Sequence, residues 1–362
     1  MNPAPDDRIS SRHIREFAAV TRRLLMNSDL FAEEGAIAEV LVNPASGLLK
    51  PGSAHRRMMR LLNRLADAQT AEGNRKTELE VRFHETESRE HAGLKAVNLA
   101  RNLLSPGKSG KSGKRVLILA GGDGFHNDIC SALLREVPEI MKEVVLFRLP
   151  MGTGNDNADA GTVEEAFSIL GSASETGEDS IIRVTTDRGA VHYAFNVVSF
   201  GLDAYVCELT NRMKTLAGPK IIYKISADIA VLLYEKKWPL KPWRISISSP
   251  GGTVVREGRF LLTIFGRKGD TRYGGGMKVL PGKENLLLVR PLSLMGIMKI
   301  KPLFYRGAHR GMPVAEFFRT DEVELHHSGP ILMETDGEVI HLGVKDFPLK
   351  LTRIPGVLRI IR

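Results

Sequence analysis

Leu119-Ala120-Gly121-Gly122-Asp123-Gly124-Phe125-His126-Asn127 decides the fold. The apolar run at 115–120 reads as a strand buried on both faces. Residues 125–136 follow with helical spacing. A glycine turn between strand and helix lets backbone approach a ligand closely. The N–H groups at the helix start form an anion site. Asp123 cannot be there to attract phosphate. A carboxylate beside phosphates makes sense if it holds Mg²⁺ or positions a proton. The plainer reading is a structural Asp-Gly turn.

Working outward, the same pattern recurs. Leu149-Pro150-Met151-Gly152-Thr153-Gly154-Asn155-Asp156 follows the apolar run 144–149, and Val42-Asn43-Pro44-Ala45-Ser46-Gly47 follows the run 37–42. Glycine turns at the carboxyl ends of parallel strands face one crevice, where open α/β sheets bind ligands. Helical spacing at 55–65 and 94–104 alternates with strands at 37–42, 79–83, 115–120 and 144–149. That order predicts a parallel sheet with helices on both sides. Beyond about residue 180 strands predominate: 181–186, 191–198, 243–248, 260–265, 286–289, 322–326 and 331–334. Helices are expected at 203–216, 220–235 and 294–303. The expected division is an N-terminal helical extension (1–35), an α/β nucleotide-binding domain (36–178) and a β-rich acceptor-binding domain (179–345). The end, 346–362, returns to the first domain as strands 349–351 and 357–361.

Composition narrows the class. Of 362 residues, 43% are apolar and 26% charged, ordinary for a globular chain with ample core. Two cysteines, Cys130 and Cys207, support neither a metal knuckle nor a disulfide framework, and a reducing, cytoplasmic home is expected. The start lacks a secretory pattern. No apolar run is long enough to span a bilayer. Net charge +9 suits an anionic partner. Only 6% aromatic residues and scattered arginines argue against nucleic acid. Residues 105–114 mimic a Walker loop, but Asn102 and Ser105 stand where its first glycine belongs, so a solvated loop is expected.

Asn43-Pro-Ala-Ser-Gly47, Gly121-Gly-Asp-Gly124 and Pro150-Met-Gly-Thr-Gly-Asn-Asp156 resemble the motifs of the diacylglycerol kinase catalytic family, which is related to NAD kinases. Ser199-Phe-Gly-Leu-Asp-Ala204, Gly274-Gly-Gly-Met277 with Pro281, and Thr335-Asp-Gly-Glu338 resemble its later elements, in order. The resemblance implies a two-domain α/β fold: a nucleotide-binding domain with a parallel sheet, then a C-terminal β-sandwich. It implies an ATP- and Mg²⁺-dependent lipid kinase, cytoplasmic and peripheral to the membrane, in a family whose members are often homodimers. ATP would be held by Asn43, Ser46, Thr86, Gly121, Gly122, Asp123, Gly124, Asn127, Gly152, Thr153 and Asn155. Asp336 would be the general base, with Asp123 near phosphates and metal. Asp203 and Asp156 would meet the acceptor. Phe125, Asp128 and Asn157 depart from the family pattern, as does Glu284-Asn285 where Asp-Gly is usual; Glu284 is the expected metal ligand.

Two other readings remain: a kinase of a soluble acceptor, and a nucleotide-binding regulator without catalysis. His126 is either a phosphate contact or a surface histidine at a helix start. His326-His327, without a third ligand, reads as a strand pair rather than zinc. Residues 220–238 read as a core helix or as an interfacial one with Trp238 and Lys236–Lys237 at the headgroups. Lys299, Lys301, Arg306 and Arg310 form a second basic patch.

Overall fold

The computed structural model describes residue 9 and residues 11–361, apart from 32–34, 73–78, 105–112, 153–154, 173–175, 214–218, 250 and 275. The Walker-like stretch therefore lies almost wholly outside the described residues, as do Thr153 and Gly154. The chain forms two compact units, Met1–Asp179 with Gly356–Arg362, and Ser180–Pro355.

The first unit contains β1 (Ile37–Val42), β2 (Glu80–Glu85), β3 (Arg115–Gly121) and β4 (Val145–Pro150). They are parallel in the order β2-β1-β3-β4. Every residue of β4, and all but the first of β1 and β3, is buried. This is why those strands read as continuous apolar runs. The helices are α1 (Arg12–Met26), α2 (Ser53–Glu72), α3 (Arg89–Leu104), α4 (Asp123–Glu136), α5 (Ile140–Glu143) and α6 (Val163–Ser172).

Helix α1 corrects the expectation of a peripheral extension. Ile14, Phe17, Ala18, Leu24 and Leu25 are buried in the same core as β1, β3 and α6. Phe17 meets Phe167 of α6 edge-on, with ring centres 6.3 Å apart. The 14, 17, 18, 21, 24, 25 spacing is an apolar helix face that the polar residues around it obscure.

The second unit begins within β5 (Thr176–Thr185) and continues through β6 (Val191–Ala194), β7 (Val197–Gly201), α7 (Leu202–Met213) and α8 (Pro219–Lys237). Next come β8 (Trp243–Ser249), β9 (Gly252–Gly258), β10 (Leu262–Gly266), β11 (Thr271–Tyr273), β12 (Met277–Leu280) and β13 (Leu286–Val289). Helix α9 (Leu294–Arg306) precedes β14 (Ala315–Phe318), β15 (Glu322–His327), β16 (Ile331–Thr335), β17 (Glu338–Leu342) and β18 (Leu349–Ile361). One layer has the order β18-β15-β8-β9, with β5 and β6 beside β18; the other runs β14-β13-β10-β7-β16-β17. Strands β11 and β12 form a separate hairpin. The inner faces of the two layers share a core that includes Phe200, Trp243, Phe265, Val323 and Met333. Phe200 and Trp243 meet edge-on at 5.8 Å.

Two expected strands are drawn differently by hydrogen bonding. The run 191–198 divides into β6 and β7, because the N–H groups of Phe195, Asn196 and Val197 donate to a side chain, that of Asp336. The two terminal pieces are one strand. Its beginning pairs antiparallel with β15, and Arg359 and Ile360 pair parallel with β4.

Truncating Phe17 to alanine is expected to cost about 3–5 kcal/mol of unfolding free energy in urea. A loss near zero would return α1 to the status of an appendage.

Candidate active site

In the first unit three turns converge at the carboxyl ends of the parallel strands. Asn43 N–H donates to Ala120 O (3.0 Å), Met151 N–H to Gly121 O (2.8 Å) and Leu48 N–H to Met151 O (3.1 Å). Gly122 and Gly152 press backbone to backbone, so a Cβ on Gly152 would come 2.7 Å from Gly122 Cα. Gly152 must be glycine for the turns to meet, and a Cβ on Gly122 would be tight, 3.2 Å from Gly152 Cα. Asn155 closes its own turn: its Oδ1 accepts from Gly152 N–H at 3.0 Å, and its Nδ2 donates to Gly152 O at 3.2 Å. Thr86 Oγ1 donates to Val42 O at 3.2 Å, and Asn43 Oδ1 accepts from Ala45 N–H at 3.0 Å. Ser46 and Asn127 are buried, whereas Asp156 is exposed. The structure thus places Asn43, Ser46, Thr86, Gly121–Asn127, Gly152 and Asn155 at or just beyond the carboxyl ends of the parallel strands.

Helix α4 starts at Asp123, with Gly122 as its extended N-cap and no side-chain cap. Its first-turn N–H groups therefore present the positive end of the helix. Asp123 Oδ1 accepts from Asn157 N–H at 2.9 Å. Asn157 Oδ1 accepts from the fully buried Arg148 guanidinium at 2.9 Å, and Arg148 also pairs with Asp159. The polar residue that breaks the family pattern at 157 is thus one link in the support of Asp123. Phe125 is explained as well. It lies against Gly121, where any Cβ would overlap its ring. His126 fits neither expected role. It is wholly buried, with Nε2 3.1 Å from Leu119 O, and burial holds its pKa down to about 4, so it is neutral.

In the second unit, Asp336 and Gly337 form the two-residue turn between β16 and β17, with φ of +49° and +95°. Positive φ at both central positions is the tight-hairpin requirement that Asp-Gly meets. The Asp336 carboxylate accepts three backbone N–H bonds: from Phe195, from Asn196 (2.9 Å) and from Val197 (3.0 Å). Burial pushes its pKa up to about 6, against the downward pull of those donors and of Arg267. Three of its roughly four lone-pair directions are filled. Beside it, Glu334 takes Gly337 N–H on one oxygen and Ser199 Oγ–H on the other (3.0 Å). Burial first, and then the charge of Asp203, push Glu334 well above the usual carboxylate range. Asp203 accepts from Tyr273 O–H, and burial raises its pKa to about 6.

Glu334, Tyr273 and Arg267 are members that the sequence reading did not single out, and Ser199 was quoted there only as part of a motif. Alternation along β16 places Glu334 next to the Asp-Gly turn, and a carboxylate inside an apolar strand was the available signal.

Asp203 stands at the wall of an apolar pocket with a cavity volume of about 80 Å³. Tyr223 and Val231 of α8, Ile264 of β10, and Ile297 and Phe304 of α9 line it with Asp203.

Glu284 departs from its expected part. Both its oxygens are bound by the Arg310 guanidinium, at 2.5 and 2.6 Å, which also lowers its pKa. Asn285 bonds Gly266 O, Thr320 O and Thr320 N–H. The pair ties loops together; a metal at Glu284 would have to displace an arginine. His327 Nδ1 lies 2.8 Å from Gly329 O and His326 pairs with Glu324, the geometry of a strand pair. At the basic end of α8, Lys236 and Lys237 are exposed; Lys237 lies over Tyr205 and near Glu208, and Trp238 packs on His341.

The diacylglycerol kinase catalytic domain model matches residues 38–180. The YegS C-terminal NAD kinase beta sandwich-like domain model matches 196–362. A "Probable lipid kinase YegS-like" of Xanthomonas campestris pv. campestris (strain 8004) is 28% identical over 62% of this chain and 73% of its own length. Its namesake in Stenotrophomonas maltophilia (strain K279a) is 24% identical over 68% and 78%. Among solved structures, a diacylglycerol kinase from Bacillus anthracis str. Sterne shares the fold at 13% identity and TM-score 0.55, over 90% of this chain and 96% of that one.

A carboxyl ¹³C titration of Asp336 is expected to show a midpoint near 6, about two units above an ordinary aspartate. A midpoint near 4 would mean that the three N–H donors outweigh burial.

Proposed function

The chain belongs to the diacylglycerol kinase catalytic family, and from that premise we propose that it moves the γ-phosphate of ATP to the hydroxyl of a lipid. The observation that carries the lipid reading is the apolar pocket of the second unit, with Asp203 as the carboxylate in its wall. A soluble, polar acceptor such as a dinucleotide would find few partners there. An acyl chain would find Val231, Ile264, Ile297 and Phe304.

Phosphoryl transfer asks a protein for positioning, for neutralisation of charge and for a base at the nucleophile. In this reading the first unit supplies the nucleotide site. Backbone N–H groups at the start of α4 and the paired glycine turns receive the phosphates. Asn43, Ser46, Thr86 and Asn155 line the same crevice, and Thr153 belongs to it by motif. Asp123 would carry the divalent ion that accompanies ATP: one oxygen is held by Asn157 N–H, which fixes the direction of the other. Mg²⁺ would neutralise phosphate charge there. In the second unit Asp336 takes the acceptor's proton. A carboxylate with a pKa of about 6 is ionised at neutral pH yet basic enough to accept a proton in the transition state. Asp203 would hold the polar head of the lipid, and Asp156, exposed beside the glycine turn of the first unit, is the second acceptor contact that the family resemblance implies. The buried acid at 334 holds the Asp336 turn and does not itself touch the acceptor. Retention of Asp123 and Asp336, each with its supports, argues against a regulator without catalysis.

Asp336→Asn keeps the hairpin turn, which Asn-Gly suits, and gives up at least one of the three accepted N–H bonds. With labelled Mg²⁺-ATP and a panel of lipids in mixed micelles, the wild type should label at least one lipid. The variant should lose about 10²–10⁴-fold in rate with nucleotide binding intact. No labelled lipid from a wild type that binds ATP would refute the lipid reading. Label on soluble NAD instead would favour the soluble-acceptor alternative.

A further inference from the structure

Large apolar side chains are unevenly spread over the surface. Of eleven exposed ones among the described residues, six lie on two helices: Ile225, Leu232 and Leu233 on α8, and Leu294, Met295 and Met298 on α9. Scattered singly, such residues need no explanation; gathered, they mark a contact surface.

Helix α9 is sharply defined. Ser293 caps its start by accepting from Gly296 N–H (3.2 Å), and Gly307 ends it at φ +69°. Its inner face, Ile297, Ile300 and Phe304, is buried. By the helical repeat, Met295, Met298, Lys299, Pro302 and Arg306 fall on the other side, and all five are exposed. The helix carries Lys299, Lys301 and Arg306 and no acid. Lys301 reaches Asp228 of α8 at 2.5 Å, which ties the two helices and offsets that acid. Glu235 lies toward the other end of α8, followed by Lys236 and Lys237.

An outward face of flexible apolar side chains mixed with lysine and arginine has the chemistry of a bilayer interface. Apolar groups enter the acyl boundary, and cations stay among anionic headgroups. The helices that carry this face, α8 and α9, also form two walls of the pocket with their inner sides. Resting on the lipid-kinase reading, we infer that the outer face of α8 and α9, centred on Met295 and Met298, is the surface by which the second unit docks on an anionic lipid bilayer. A chain of the acceptor would then pass from bilayer to pocket.

The test uses the full chain, sedimented with vesicles of phosphatidylcholine alone or mixed with phosphatidylglycerol. Wild type should bind the mixed vesicles at least about tenfold more tightly, with the preference weakened by salt. Met295→Glu with Met298→Glu should lose vesicle binding about tenfold or more, and the milder Met295→Ser with Met298→Ser should lose part of it. Lys299→Glu with Arg306→Glu should abolish the preference for anionic vesicles. Turnover of a short-chain, water-soluble acceptor should be unchanged in all three variants, which shows that they are folded. Equal vesicle binding by wild type and the methionine variants would overturn the assignment. So would a lipid-free wild-type dimer that the methionine variants split, which would give the face to a second copy of the chain. If the kinase reading alone were wrong, no phosphorylated lipid would form in any arm, while vesicle binding would still separate wild type from variants.

Discussion

Three backbone N–H groups, from Phe195, Asn196 and Val197, close on the carboxylate of Asp336. Much of the second unit follows from that contact. It interrupts what would be one strand and makes two, β6 and β7. It secures the hairpin turn between β16 and β17 to the end of β7, where Asp336 N–H in turn donates to Val197 O at 3.3 Å. The turn itself needs positive φ at Asp336, a conformation that a non-glycine residue adopts only when its surroundings require it. Glu334 supplies one such requirement by accepting Gly337 N–H. A carboxylate held so firmly cannot wander, and its one remaining lone-pair direction is fixed by the other three. Placement of that kind is what a base in phosphoryl transfer contributes.

In the proposed function the first unit has a different task, to form an anion site. Its answer is backbone. Gly122 and Gly152 allow two strand-end turns to touch, and the start of α4 aims N–H groups outward from the same place. Such a site attracts phosphate by dipoles, so a carboxylate in it must be held and oriented. Arg148 does part of this from the interior, through Asn157. A fully buried guanidinium is costly unless paired, and here Asp159 and Asn157 satisfy it.

The parallel sheet and the strand-end turns were legible because burial on both faces writes itself as unbroken apolar runs, and glycine turns are conspicuous. The Asp123 and Asp336 motifs were legible for the same reason: tight turns restrict residue type. Other features depend on contacts between distant parts of the chain. The break at Phe195 depends on a side chain 141 positions away. The role of Glu284 is set by Arg310, and that of Asn157 by Arg148. His126 is buried although its neighbours in sequence are those of a surface turn. Helix α1 carried its signal in plain sight, yet its arginines drew attention from a core-facing stripe.

The most direct test of Asp336 as the base is the pH dependence of kcat/KM for lipid phosphorylation. The base must be ionised, and burial raises its pKa to about 6, so the rate should climb about tenfold per pH unit below that value and level off above it. Asp203, with its own pKa raised to about 6, would steepen the climb if its ionised form is also required. Such a limb in the wild type, with Asp336→Asn inactive throughout, is the predicted result. A profile flat from pH 5 to 8, or an Asp336→Asn enzyme with the wild-type profile, would contradict it.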